Sequence, residues 1–106
     1  MATKILSSGQ TTSEVFYPNG KFTVQLTGLT APVQDWYLQS LPRELADSSS
    51  EWTEVTVTPF ANSAGRRSIT FEGSEGFKYR IANTSGSATN TGIEAYWHEV
   101  RTLIFQ

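Results

Sequence analysis

Apolar and polar positions alternate with a period of two along much of the chain, and helical spacing is nearly absent. The clearest run is 21–29, where Phe22, Val24 and Leu26 alternate with Lys21, Thr23, Gln25 and Thr27. Successive side chains of a strand point to opposite faces, so this run predicts a strand with one buried and one solvated face. The alternation recurs in 68–72, with Ile69 and Phe71 inward. It recurs again in 77–82, with Phe77, Tyr79 and Ile81 inward and Lys78 and Arg80 outward. Further strands are predicted at 3–6, 13–17 and 33–41, and a long one over 93–105, where Ile93, Ala95 and Trp97 share a face. The run 52–58 is strongly β in composition, and its phase turns Trp52 away from Val55 and Val57 unless a bulge resets it.

The connections read as turns. Asn19-Gly20 between two strand-like runs is a strong hairpin signal, because both residues accept positive φ. It predicts a hairpin of 13–17 with 21–27, and Gly73–Gly76 predicts a second of 68–72 with 77–82, the two being neighbours in one sheet. Pro42 stops the strand before it, Arg43–Asp47 reads as one helical turn, and 83–92 is the longest loop. About seven to nine short strands with frequent turn signals predict an all-β fold, an antiparallel β-sandwich of the jelly-roll or immunoglobulin-like kind. The 106 residues suit one domain. Residues 13–106 are expected to form the sandwich, with 1–12 as an N-terminal arm or an edge strand.

Composition narrows the chemistry. The 14 Thr and 12 Ser, with 12% aromatic residues, favour strands, and charged residues are only 17%. Such a low charge suits a surface that other proteins cover. The absence of Cys removes thiol catalysis, disulfides and Cys-based zinc sites, and the single His removes multi-His metal sites. A net charge of −2 gives no excess of positive charge to hold nucleic acid or an anionic membrane. No apolar run is long enough for a transmembrane helix, and MATKILSSGQ is not expected to act as a secretory leader.

Candidate catalytic groups stay isolated in the sequence. His98 has no nucleophile-elbow pattern to work with. The carboxylates of Glu51 and Glu54, Glu72 and Glu75, and Glu94 and Glu99 suit strand edges and turns better than the paired groups of a glycosidase cleft. Glu72–Gly76 is too short for a calcium loop, no phosphate loop occurs, and Arg66-Arg67 is the only basic pair. Asn83-Thr84-Ser85 matches a glycosylation acceptor, to which no role is assigned. No cofactor and no metal are expected. The aromatic residues carry more. Trp36-Tyr37 and Tyr96-Trp97 are adjacent pairs, so one ring of each faces outward unless a second layer covers it. Trp36, Tyr37, Trp52 and Tyr96 are therefore candidates for partner binding, as are Ile5 and Leu6 if residues 1–12 add to a neighbour's sheet edge.

Several stretches together resemble the small β-rich virion proteins of tailed bacteriophages. They are KFTVQLTGL (21–29), Trp52-Thr53-Glu54-Val55, Gly76-Phe77-Lys78-Tyr79-Arg80-Ile81 and Gly92-Ile93-Glu94-Ala95-Tyr96. The resemblance spans most of 12–97 and is a pattern of strands without a catalytic signature. It implies a non-enzymatic virion component, a head decoration (cement) protein first and a tail or fibre component second. Its partners would be the major capsid protein or other virion proteins, and the chain would form a homo-oligomer, a trimer in the first place. The physical logic is mass action: a protein that binds only the assembled shell stabilises it. The alternative from another class is a carbohydrate-binding module, in which exposed coplanar rings form a platform for sugar faces.

Overall fold

A computed structural model describes residues 2–28, 36–55, 60, 67–84 and 92–100. The described residues form β1 (Thr3–Leu6), β2 (Lys21–Thr27), β3 (Trp36–Pro42), β4 (Thr53–Glu54), β5 (Ser68–Glu72), β6 (Phe77–Asn83) and β7 (Glu94–Glu99), with no helix among them. They build two antiparallel sheets, one in the order β1-β7-β2-β5 and the other in the order β4-β3-β6. The result is the all-β sandwich that the period-two pattern predicts. Arg43–Asp47 forms turns, the Leu45 N–H bonding the Pro42 carbonyl, where one helical turn was expected.

The core lies between the sheets. β2 contributes Phe22, Val24 and Leu26 and β7 contributes Ala95; β3 contributes Trp36 and Leu38, and β6 contributes Tyr79 and Ile81. Aromatic rings fill its middle: Phe16 stacks on Trp97 with centroids 4.8 Å apart, meets Phe22 edge-on at 5.3 Å, and Phe22 lies 5.0 Å from Tyr79. Ring pairs at these separations add to the burial of their apolar area.

Neither expected hairpin forms. Residues 13–16 pair with β6, not with β2: Phe16 and Tyr79 exchange both backbone hydrogen bonds, and the Ser13 N–H bonds the Ile81 carbonyl. Phe16 is thereby held on the three-stranded sheet while its ring reaches the other layer. The chain then crosses between layers at Pro18–Gly20, and the left-handed glycines among the described residues are Gly9, Gly28 and Gly92, not Gly20. Likewise β5 and β6 belong to different sheets, and Gly73–Gly76 arches across the sandwich edge. Phe71 and Tyr79 therefore face each other across the core, 5.9 Å apart, instead of lying side by side. Gly73 is required here, since a Cβ at this position would lie 2.7 Å from the Gly20 carbonyl oxygen.

One bulge explains an otherwise puzzling pair. Thr3 and Lys4 pair with Trp97 and Tyr96, but Leu6 pairs with Ala95, which leaves Ile5 as the extra residue. The bulge lets the consecutive Ile5 and Leu6 both turn inward, and both are buried.

Candidate interaction surface

The residues singled out from the sequence separate into two groups. Ile5, Leu6 and Trp36 are core residues, and β1 is an edge strand of the chain's own four-stranded sheet. Trp52 is also buried, on the far side of the three-stranded sheet. Tyr37 and Tyr96 are half-buried and lie on outer faces, as the alternation within Trp36-Tyr37 and Tyr96-Trp97 requires. The Tyr96 hydroxyl donates to Glu94, which also pairs with Lys4 at 2.6 Å. That hydrogen bond raises the Lys4 pKa and lowers that of Glu94 from their ordinary values. Leu103, Ile104 and Phe105 lie outside the described residues.

The outer faces of the two sheets differ in kind. On the three-stranded sheet, alternation places Tyr37, Gln39 and Leu41 beside Lys78, Arg80 and Ala82. Residues 43–52 fold over part of this face. Lys78, expected to be solvated, is buried because its ammonium donates to the Leu45 carbonyl and pairs with Asp47. The Trp52 indole N–H donates to the Asp47 carbonyl, and the Arg80 guanidinium lies 4.2 Å from the Trp52 ring centroid. Arg80 also donates to the Gln39 side-chain oxygen, and the Gln39 amide donates to Glu54. Burial lowers the Arg80 pKa, while the charge of Asp47 acts in the opposite sense. These contacts join the 45–54 segment to Gln39, Lys78 and Arg80 of the sheet, so the cluster fastens a loop to a sheet.

A different arrangement occupies the end of the sandwich where β3 stops and β6 starts. Arg43 donates from Nε to the Phe77 carbonyl and from Nη2 to the Pro18 carbonyl, both at 2.8 Å. Its guanidinium lies 5.3 Å from the centroid of the Tyr17 ring. One side chain thus ties the 15–18 segment to the start of β6. Tyr17 is 49% exposed, Phe77 39% and Leu45 39%. Phe77, expected inward, escapes the core because it is the first residue of β6, opposite Pro42 at the last residue of β3. Val100, the remaining large exposed apolar residue among those described, follows β7 at the same end, its N–H bonding the Lys21 carbonyl. Tyr, Phe and Arg are side chains enriched at protein interfaces, and here Arg43 is held by backbone carbonyls. Sequence reasoning missed this patch, because period two assigns Phe77 inward and says nothing about strand ends.

Among the described residues, no group of three or more His, Asp or Glu side chains could hold a metal ion. His98 is exposed and stands in a cross-strand row with Thr23 and Thr70 on the outer face of the four-stranded sheet. No helix among the described residues is long and apolar enough to cross a membrane. Comparison of the chain with protein-family models, with curated proteins and with solved structures gives no match.

Proposed function

We propose that the chain is a non-enzymatic structural protein that attaches to a larger protein assembly through the Arg43 end of its sandwich. The assembly to which the sequence resemblance points is the virion of a tailed bacteriophage, with capsid decoration as the leading role and a tail or fibre position as the second. The observation that carries the reading is the meeting of the exposed Tyr17 and Phe77 at an Arg43 already fixed by two backbone carbonyls, with the exposed Leu45 two residues along the chain. Fixing these groups before contact lowers the ordering cost of binding. A ring that must anchor a partner is most effective when its own loop does not have to settle first. The sugar-platform alternative has less to rest on, since Trp36 is core and the face of Trp52 is taken by Arg80.

The test joins location to mechanism. Mass spectrometry of virus particles purified from the source of this chain is expected to find it at a fixed, high ratio to the major capsid protein. A handful of copies would move it to the tail or fibre, and its absence would overturn the virion reading. Co-sedimentation with particles lacking the protein then tests the patch. Tyr17→Ser with Phe77→Ser should remove binding while the circular dichroism spectrum is kept, with a loss of about a hundredfold or more for two interface anchors. Binding that is unchanged in this variant would overturn the role of the Arg43 end.

A further inference from the structure

The strand edges of this sandwich are protected very unequally. The outer edge of β6 is taken by residues 11–16, through the bonds of Ser13 and Phe16 and that of the Asn83 N–H to the Thr11 carbonyl. β1 carries a bulge, and its Ile5 carbonyl accepts the Glu14 N–H. β4 is only two residues long. β5 is the exception. It is five residues long, pairs with β2 in unbroken register, and contains no Pro, Lys or bulge. These are the devices that normally keep an edge from pairing with another chain.

The ladder fixes which groups this edge offers. The Leu26 N–H bonds the Arg67 carbonyl and the Gly73 N–H bonds the Gly20 carbonyl. Directly opposed antiparallel residues alternate between bonded and non-bonded pairs. Ile69 and Phe71 therefore bond to β2, and the N–H and C=O groups of Ser68, Thr70 and Glu72 point away from it. Among the described residues nothing pairs with this edge. Ile69 and Phe71 are only partly buried, although Phe22 and Val24, their neighbours on β2, are fully buried.

We infer that β5 is a homodimer edge, at which a second copy of this chain adds antiparallel around a two-fold axis through Thr70. The sequence of the strand is self-complementary in that register. Thr70 faces its own copy, and Ser68 faces Glu72 of the second copy on both sides of the axis. No like charges are opposed, and all outward N–H and C=O groups of the three residues pair. On the outer face the Thr23–Thr70 hydroxyl contact, 2.8 Å, would continue into a row of threonines across the dimer. On the inner face Ile69 meets Phe71 of the copy and the apolar strip becomes continuous. A slip by one residue would set inward-facing residues of one copy against outward-facing residues of the other and leave the edge groups unmatched, so only even shifts compete. Those centred on Ile69 or Phe71 pair fewer of the outward groups of 68, 70 and 72, and one centred on Glu72 opposes two carboxylates. The inference stands independently of the virion reading and names a two-fold closure in place of the trimer that the resemblance implies.

Sedimentation velocity of the full chain over a dilution series tests it. A concentration-dependent dimer is expected. Thr70→Pro, which removes a central edge N–H without removing a bond to β2, should leave a folded monomer. Ser68→Glu should weaken dimerisation and Ser68→Lys should strengthen it, each by about threefold to tenfold, because residue 68 faces Glu72 twice per dimer. These exposed substitutions keep the test decisive if the proline variant fails to fold. A monomer at every concentration, a trimer, or two Ser68 variants that shift in the same direction would overturn the inference.

Discussion

The two sides of the sandwich are finished differently. On one side, residues 11–16 lace β6 to β1, Ser13 and Phe16 bonding the three-stranded sheet and Glu14 bonding the four-stranded one. On the other side, β5 ends its sheet with a straight, regular edge and half-covered apolar residues. The difference teaches where stability and where association are invested. The laced side satisfies its backbone groups internally and anchors the aromatic core. Among the described residues, the β5 side leaves the same kinds of groups unpaired.

The largest effect is expected on the laced side. Phe16→Ala removes the ring that touches Phe22, Tyr79 and Trp97, and should cost about 3–5 kcal/mol in urea unfolding. A loss below about 1 kcal/mol would mean that the lacing is incidental. Ser13→Ala comes next. The Ser13 hydroxyl accepts the Ile81 N–H at 2.8 Å in a buried position, and its removal orphans that donor, so about 1–3 kcal/mol should be lost. Thr70→Ala on the β5 edge should cost within about 0.5 kcal/mol of monomer stability, which thermal melts of a dilute sample would measure. A larger loss would erase the contrast between the sides.

The smallest effect concerns the surface pair of Lys4 on β1 and Glu94 on β7. Glu94 has a lowered pKa, so its contribution is present above the unfolded carboxylate pKa and is lost as pH falls through the folded value. Lys4 has a raised pKa, so its contribution is complete below the unfolded value and is lost as pH rises through the folded one. Stability measured against pH should therefore differ little between wild type and Lys4→Met, with the difference confined to the range between those two losses. A large difference would give this exposed pair a weight its solvation does not support.

The sandwich was legible because period two survives single exceptions. Phe22, Val24 and Leu26 read inward from the sequence and are fully buried. Strand partners were not legible. Asn19-Gly20 favours a tight turn locally, but Phe16 gains more by joining β6 and inserting its ring between the layers, and that gain depends on residues more than sixty positions away. The inward turn of both Ile5 and Leu6 depends on a bulge that only the pairing with β7 defines. Of the candidate interface residues, alternation required one ring of each adjacent pair to face outward without choosing between them, and it gave no sign that Arg80 and Asp47 would cover Trp52. The Arg43 patch was hidden for a related reason. It is assembled from a strand start, a turn and a crossing segment, where periodicity carries no information.

Residue-resolved amide hydrogen exchange of the full chain, in dilute and in concentrated solution, tests the contrast between the two sides most directly. In dilute solution the amides of Phe16, Tyr79, Ile81, Ile69 and Phe71 should be protected while those of Ser68, Thr70 and Glu72 exchange quickly, and concentration should slow the exchange of these last three. Strong protection of Ser68, Thr70 and Glu72 at every concentration, or rapid exchange of Phe16 and Ile81, would contradict the account.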